Sequence, residues 1–196
     1  MIAYRTLRTE ELCRALFASF RRRQSVTRCW RKCGGTWQIR DVSFMDDWTD
    51  REYDTLICDL RRTAEDGGLV IGAFQDGRLA GFAAVTPELF GKGKEYLDLA
   101  SIHVSEDARR QGIGRRLFEE AKRWAASHGA VKLYISAHSA VESIAFYRAM
   151  GCVEAAEYNA RHVAAEPFDC QLECPLDEES VTCPAARGSS TPDRPP

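Results

Sequence analysis

Hydrophobic and polar residues follow two different periodicities along the chain, and each change between them marks the edge of a short element. Short runs rich in Val, Ile, Leu and aromatic residues predict strands. Stretches whose apolar residues recur three and four positions apart predict helices. The predicted strands cover residues 2–7, 25–32, 36–40, 69–74, 79–85, 96–104, 132–137, 152–158 and 168–174. Helices are predicted after Thr9, Thr49 and Gly112, and around Tyr147.

The connections between these elements carry turn and cap residues. Thr49 and Glu52 have the spacing of a capping box, so we expect a helix to begin there. Asp76-Gly77 is a tight-turn signal between two predicted strands. Gly34-Gly35 joins residues 25–32 to residues 36–40 in the same way, which predicts a hairpin.

The stretch 96–114 combines a predicted buried strand, a polar turn and a glycine-containing helix start. Gly112 and Gly114 allow the backbone to approach a ligand closely, and the first N–H groups of a helix have no partner within it. The helix dipole favours an anion there by about 0.3–1 kcal/mol, and by up to ~2 kcal/mol when the site is partly buried. Four neighbouring arginines add positive charge. The stretch therefore predicts a phosphate-binding loop.

Two common phosphate motifs do not fit this loop. A dinucleotide fingerprint requires a third glycine at the position of Leu117, and an acidic residue about twenty positions further on is missing as well. A Walker loop ends in Gly-Lys-Ser/Thr, whereas Gly114 is followed by Arg115. A different phosphate-bearing ligand is therefore expected.

The pattern Arg109-x-x-Gly112-x-Gly114, placed after a strand that ends at Val104, resembles the acetyl-CoA site of the GNAT N-acetyltransferase superfamily. Residues 145–152 resemble the superfamily's late Phe-Tyr-x-x-x-Gly-Phe segment, although Cys152 replaces the last Phe and Ala140 replaces a frequent Asn. The resemblance implies an α/β (α+β) GNAT fold. Its central sheet would be mixed, mostly antiparallel and six- to seven-stranded, flanked by helices and splayed between two parallel central strands.

The resemblance also implies acetyl-CoA as the co-substrate. Backbone groups of Ile102, His103 and Val104 would bind the pantetheine arm and polarise the thioester carbonyl. The pyrophosphate would be held by the residues of the phosphate-binding loop, namely Arg109, Arg110, Gln111, Gly112, Ile113 and Gly114.

Two residues are candidates for proton transfer. Tyr147 is similar to the tyrosine with which the superfamily protonates the leaving thiolate; a core aromatic beside Phe146 is the alternative. Asp98 is the lone carboxylate of the predicted buried strand 96–104, where desolvation raises a carboxyl pKa. It also lies six residues before Val104, where the histone-acetylating branch of the superfamily carries its glutamate base. A contact between strands is the alternative for Asp98.

Three further residues are candidates for the acceptor site. His138 ends the predicted strand next to the expected splay, and a structural role is its alternative. Trp30, in the hairpin, would form a pocket wall or pack against Trp37. Trp48 follows two acids that would either hold a cationic amine or lie in a solvated loop.

Composition narrows the functional classes. The chain has 196 residues, 44% of them hydrophobic and 29% charged, which is typical of a globular protein. A net charge of −2 gives no indication of nucleic acid or of an anionic membrane. No apolar run approaches the ~20 residues of a membrane span, and no signal peptide is visible, so we expect a cytoplasmic protein. A monomer or a homodimer is expected.

Eight cysteines are present, and two pairs of them, Cys29/Cys33 and Cys170/Cys174, are spaced four apart. Structural zinc usually requires a tighter Cys-x-x-Cys spacing, and residues four apart in a strand lie roughly 13 Å apart. We therefore expect reduced thiols and no metal. Residues 1–176 are predicted to form one domain. Residues 177–196, which are rich in Pro, Ser and acid, are predicted to form a disordered tail.

The resemblance implies an enzyme that transfers acetyl from acetyl-CoA to a primary amine by direct attack. The expected acceptor is a small molecule such as an amino sugar, a polyamine, an amino acid or a peptide-like amine. Acetylation of a protein N-terminus or lysine is the alternative. A non-catalytic acyl-CoA-binding sensor is the alternative from another class.

Overall fold

The computed structural model describes residues 1–176. The strands within this range are β1 (Ile2–Thr6), β2 (Arg23–Cys33), β3 (Thr36–Asp47), β4 (Leu69–Gln75), β5 (Arg78–Val85), β6 (Tyr96–Asp98), β7 (Ser101–Val104), β8 (Lys132–Ala137), β9 (Val153–Glu154) and β10 (Cys170–Pro175). The α helices are α1 (Asp50–Glu65), α2 (Ile113–Ser127), α3 (Val141–Ala149) and α4 (Ala160–Ala165). The predicted tail, 177–196, lies outside the described residues.

The strands form two four-stranded sheets and a separate hairpin. The first sheet has the order β1-β4-β5-β7 and is antiparallel throughout. The second has the order β6-β8-β10-β9, in which β6 and β8 run parallel and the other pairs antiparallel. The predicted α/β class with a mixed, mostly antiparallel sheet is confirmed, and the parallel pair lies where it was expected.

The prediction of one continuous strand over residues 96–104 is wrong. β6 pairs with β8 only as far as Asp98, and β7 begins at Ser101 as the antiparallel neighbour of β5. Between them the amide of Leu99 still donates to the carbonyl of Tyr134 at 2.9 Å, while the amide of Thr86 donates to the carbonyl of Asp98 at 3.0 Å. The chain thus moves from one sheet to the other at residues 99–100, and β7 separates from β8.

The predicted helix after Thr9 is also not formed as an α helix. A short 3-10 turn covers Thr9–Glu11, and the following amides bond to carbonyls three residues back, for example Phe17 to Arg14 at 3.1 Å. These tight turns still bury Leu12, Phe17 and Phe20, because both rings pack against Phe82 of β5. The apolar side chains of this segment are therefore buried without an α-helical backbone.

The other predicted connections are present. Thr49 accepts a hydrogen bond from the amide of Glu52, and the Glu52 carboxylate accepts one from the amide of Thr49 at 2.7 Å, which completes the capping box of α1. β2 and β3 form the predicted hairpin but extend beyond its expected ends. Trp30 pairs with Ile39, so Trp30 and Trp37 are diagonal neighbours rather than a directly opposed pair.

The first sheet is covered on both faces. On one face α2 buries the apolar residues Ile113, Leu117, Phe118, Ala121 and Ala125. On the other face α1 and the N-terminal turns pack on Val70 and Phe82. The predicted strand over 152–158 is reduced to Val153–Glu154, and α4 occupies part of the connection to β10.

Two further findings concern membrane-spanning helices and metal-binding clusters. No helix within residues 1–176 is both long enough and apolar enough to cross a membrane. In the same range no group of three or more His, Cys, Asp or Glu side chains is arranged to hold a metal ion.

Candidate active site

A cavity of about 810 Å³ opens where β7 and β8 separate. Its first side consists of β7, the loop before α2 and the inner face of α3. Its second side consists of residues at or next to the start of β2, in and just after β8, and just before β10. The residues predicted for acetyl-CoA binding and thiolate protonation all line it except Gln111: Ile102, His103, Val104, Arg109, Arg110, Gly112, Ile113, Gly114 and Tyr147. The second side is formed by Arg22, Gln24, Ser25, Ser136, His138 and Asp169.

The loop before α2 offers a row of unpaired amides to this cavity. The first amide of the helix with a backbone acceptor is that of Arg116, which donates to the carbonyl of Gly112 at 3.1 Å. Within residues 1–176, none of the amides of residues 109–115 donates to a protein acceptor. Arg110 and Gly112 have positive φ angles of 64° and 80°, which turn the chain into a concave nest of N–H groups. The geometry is that of an anion site at a helix N-terminus.

The two glycines of this loop have different roles. Gly112 is the N-cap of α2 in the left-handed conformation, with φ 80° and ψ 0°, a conformation that L residues adopt at a cost. A Cβ on Gly114 would meet Phe146 at 3.4 Å and Val104 at 3.6 Å, which are ordinary contacts. The fold therefore does not need glycine at position 114. Its absent side chain leaves the end of the cavity open beside the amides.

β7 has a free edge toward the cavity. Its register pairs Phe82 with His103, and the amide of Ser105 donates to the carbonyl of Ala80 at 2.9 Å. Backbone groups of alternate residues in an antiparallel strand point to opposite sides, so His103 and Ser105 are bonded toward β5. Ile102 and Val104 therefore direct their backbone groups toward the cavity, where the carbonyl of Val104 accepts a hydrogen bond from Arg109 Nε at 3.4 Å. Of the three residues predicted to bind pantetheine, His103 is the one whose backbone groups are committed to the sheet.

The His103 side chain belongs to a buried network on the other face of β7. Arg22 Nε donates to His103 Nδ1 at 3.2 Å, so the ring is neutral and carries its proton on Nε2. Burial lowers the pKa of His103 to about 3, and the positive charges of Arg22 and Arg109 act in the same direction. Arg22 also donates to Asp46 at 2.5 Å. Trp48 packs edge-on against His103 with ring centroids 4.6 Å apart.

The two tryptophans predicted for the acceptor site do not line the main cavity. Trp48 stands behind His103 and packs on Tyr53, so it supports the wall from outside. Trp30 lines a separate small cavity of about 60 Å³ together with Trp37 and has the guanidinium of Arg148 stacked on its ring at 4.5 Å. The hairpin contributes Gln24 and Ser25 to the cavity wall in place of the two tryptophans.

Tyr147 is positioned by α3 at the wall of the cavity. Its ring packs edge-on against Phe118 and Phe146, with centroids 6.1 and 5.2 Å away. Within the described chain its hydroxyl has no hydrogen-bond partner. Burial raises the pKa of Tyr147 well above that of a free phenol, and the negative charge of Asp169 adds to the shift. The residue is therefore a protonated phenol whose O–H is free to bind a ligand.

Asp98 does not reach the cavity. His162 Nε2, on α4, donates to Asp98 Oδ2 at 2.8 Å, and the other carboxylate oxygen is buried without a hydrogen-bond partner among residues 1–176. The reason is the break after β6: Leu99 and Ala100 turn toward the cavity, whereas Asp98 stays with β8 and faces α4. The position of Asp98 does not favour the predicted role as base.

Asp169 is a carboxylate that sequence reasoning missed. It lies immediately before β10 in the cavity wall, and Ser136 Oγ on β8 donates to its Oδ2 at 3.3 Å. Burial and the nearby Glu166 raise the pKa of Asp169 to about 6. Its position became informative only once β10 was seen to pair with β8, and the sequence does not reveal that pairing.

His138 does line the cavity, as predicted. Its Nδ1 accepts a hydrogen bond from the amide of Ala140 at 3.3 Å, which leaves the proton on Nε2. Burial lowers the pKa of His138, so the ring is neutral near neutral pH. The ring of Phe44, from β3, contacts it edge-on at 5.9 Å.

A family model for the acetyltransferase (GNAT) family matches residues 33–152. The chain belongs to the GNAT acetyltransferase family. The matched range contains β7, the loop of free amides and Tyr147, whereas Asp169 lies beyond it. The predicted superfamily and the predicted enzyme class, an acyltransferase, are confirmed.

Solved structures share the GNAT fold over most of the chain. Nourseothricin acetyltransferase superposes with a TM-score of 0.64 at 20% identity, covering 90% of this chain and 99% of that one. A protein assigned as a streptothricin acetyltransferase from Bacillus anthracis str. Ames, in complex with acetyl coenzyme A, gives 0.68 at 16% identity with the same coverage. PaiA N-acetyltransferase from Thermoplasma acidophilum, in complex with coenzyme A, gives 0.54 at 14% identity, covering 89% and 99%.

Identities of this size establish the fold alone. No curated protein matched the chain in sequence. The acceptor must therefore be argued from the site itself.

Proposed function

We propose that this GNAT enzyme transfers an acetyl group from acetyl-CoA to the primary amine of a small molecule. The observation that carries the proposal is the row of unpaired amides at residues 109–115, which opens into the same cavity as the Tyr147 hydroxyl. Two proteins with this fold were crystallised with acetyl coenzyme A or coenzyme A, which supports the choice of donor.

The residues present fit acetyl-CoA. The amide nest, with Arg109 and Arg110 beside it, is suited to a pyrophosphate, since N–H groups and positive charge converge there. The free edge of β7 at Ile102 and Val104 is suited to the amide groups of a pantetheine arm, which would extend the strand pairing. When bound, acetyl-CoA supplies the thioester carbon that the amine attacks.

Tyr147 would protonate the departing sulfur. A phenol whose pKa is raised remains protonated at neutral pH, so the donor is present at every turnover. The aromatic contacts with Phe118 and Phe146 hold the ring in one orientation, which keeps the hydroxyl directed into the cavity. A backbone N–H on the free edge of β7 would stabilise the developing negative charge on the carbonyl oxygen.

The acceptor must lose a proton before it attacks. An alkylammonium with a pKa of about 10.4 is neutral in only about one molecule in 2,500 at pH 7, a cost of roughly 4.6 kcal/mol. The second side of the cavity, with Ser136, neutral His138 and Asp169, provides polar groups for the amine. The proposal of a small acceptor is supported by the β2–β3 hairpin, whose Gln24 and Ser25 form part of this wall.

A thiol-release assay with acetyl-CoA tests this proposal. The acceptors are a panel of amino sugars, polyamines, amino acids and amine-containing antibiotics, with lysine-bearing and N-terminal peptides in parallel. We expect turnover with members of the first group and its loss in Tyr147→Phe. Turnover confined to the peptides would favour protein acetylation, and acetyl-CoA binding without any turnover would favour a sensor.

A further inference from the structure

Two carboxylates line the cavity within residues 1–176: Glu142 at the start of α3, which is exposed, and Asp169, which is more buried. Asp169 lies between α4 and β10 and is half-buried. Ser136 donates to its Oδ2, whereas within residues 1–176 no group donates to its Oδ1. This second oxygen is not sealed in the interior, so it is available to a ligand in the cavity.

A chain of hydrogen bonds fixes this carboxylate. The Tyr134 hydroxyl donates to Gln171 Oε1 at 2.5 Å, Gln171 Nε2 donates to Ser136 Oγ at 3.0 Å, and Ser136 Oγ donates to Asp169 at 3.3 Å. Tyr134 and Gln171 are buried, so the chain is anchored in the second sheet. A carboxylate that is held from behind and open in front has the geometry of a ligand-binding group.

Three charged or titratable side chains influence the ionisation of Asp169: Glu166, His162 and Arg31. Glu166, in the segment after α4, disfavours its ionised form, whereas His162 of α4 and Arg31 of β2 favour it weakly. The negative charge of Asp169 in turn reaches the hydroxyl of Tyr147 across the cavity. The carboxylate is therefore electrostatically linked to the proposed acid.

We propose that Asp169 binds the acceptor's ammonium group and takes its proton before attack, an inference that rests on the proposed function. In this step an N–H bond of the ammonium breaks and an O–H bond forms on Asp169. The freed lone pair forms the N–C bond, and the C–S bond breaks. Tyr147 gives its proton to the thiolate, and one of the two protons on the attacking nitrogen passes to the Tyr147 oxygen and restores the phenol. One proton in total leaves through Asp169.

Position favours Asp169 over Asp98, and the raised pKa of Asp169 suits it to accept a proton. Asp98 is hydrogen-bonded to His162 and lies outside the cavity wall. A pKa of about 6 brings Asp169 roughly two units closer to that of an alkylammonium than an ordinary aspartate, which makes the proton transfer about 100-fold more favourable.

The test compares Asp169→Asn with Asp98→Asn as a matched control, using an amine that the wild-type enzyme acetylates. We expect kcat/KM of the wild type to fall below a pKa near 6. In Asp169→Asn this fall in kcat/KM at acidic pH, the acidic limb, should disappear, and kcat/KM should be at least 100-fold lower than in the wild type. Asp98→Asn should keep the acidic limb. Asp169→Glu should recover part of the rate and show a limb again, since a carboxylate is restored.

Acetyl-CoA affinity, measured by calorimetry, should be unchanged in all three variants and shows that each is folded. An Asp169→Asn enzyme with wild-type activity and an intact acidic limb would overturn the role of Asp169 but leave the proposed function standing. Loss of the limb in Asp98→Asn instead would also overturn it. Absence of turnover by the wild type with every amine would remove the proposed function as well, so the two failures are distinguishable.

Discussion

Replacing Gly112 with alanine separates the loop's part in ligand binding from its part in folding. Gly112 has φ 80°, and a Cβ there would meet no atom within 4 Å. The cost is therefore conformational, roughly 1–2 kcal/mol for an L residue in the left-handed region. If the loop relaxes to avoid that cost, the amides of residues 113–115 turn away and the anion interaction is lost. That interaction is worth up to ~2 kcal/mol, or about 30-fold in affinity.

Gly129 offers a matched control. It follows α2 with φ 83°, has equally open space around it and is absent from the cavity wall. We expect Gly129→Ala to lose roughly 1–2 kcal/mol of unfolding free energy in urea, and Gly112→Ala to lose less, because its loop relaxes. Only Gly112→Ala should lower the affinity for acetyl-CoA measured by calorimetry, by up to about 30-fold. Equal acetyl-CoA affinity in the two variants would refute the assignment of the amide nest.

Three further predictions concern single residues. Tyr147→Phe should lower kcat by about 10²–10⁴-fold while the acetyl-CoA Kd stays unchanged; an unchanged kcat would exclude it as the acid. The Asp98 carboxylate raises the pKa of His162, so their bond stabilises the fold below the unfolded histidine's pKa and the contribution disappears as pH rises through the folded value. Urea unfolding should therefore show a larger loss for His162→Gln at pH 5.5 than at pH 8.5, and an equal loss would contradict this. Thr49→Ala should cost about 0.5–2 kcal/mol by removing the cap of α1, with KM unaffected; a changed KM would show that α1 is coupled to the site.

Local signals predicted the elements that depend on few neighbours. The capping box at Thr49 and Glu52 sets the start of α1, and the hairpin follows its glycine turn. The free amides follow from a glycine helix start without a side-chain cap. Each of these features is decided within a few residues, which is why the sequence alone was sufficient.

The predictions that failed depend on long-range pairing. Whether residues 96–104 form one strand or two is decided by competition between β5 and β8 for the same segment, and both partners are distant in sequence. The role of Asp98 changes for the same reason, since the break sends its side chain toward His162, 64 residues away. Asp169 enters the cavity only because β10 pairs with β8, which brings it to Ser136.

The tryptophans show a related limit. The hairpin contributes residues to the cavity wall, yet the rings of Trp30 and Trp48 lie outside that wall. The sequence predicts which residues alternate along a strand but not which face the bent hairpin presents to the second sheet. Smaller residues of β2, Gln24 and Ser25, line the cavity instead.

The most direct measurement is an amide NMR titration of the intact chain with coenzyme A, with pantetheine, which lacks the pyrophosphate, as the control ligand. We expect the N–H signals of residues 109–115 to shift on addition of coenzyme A and to stay in place with pantetheine. If coenzyme A bound without moving those signals, the pyrophosphate would lie elsewhere and the proposed site would be wrong.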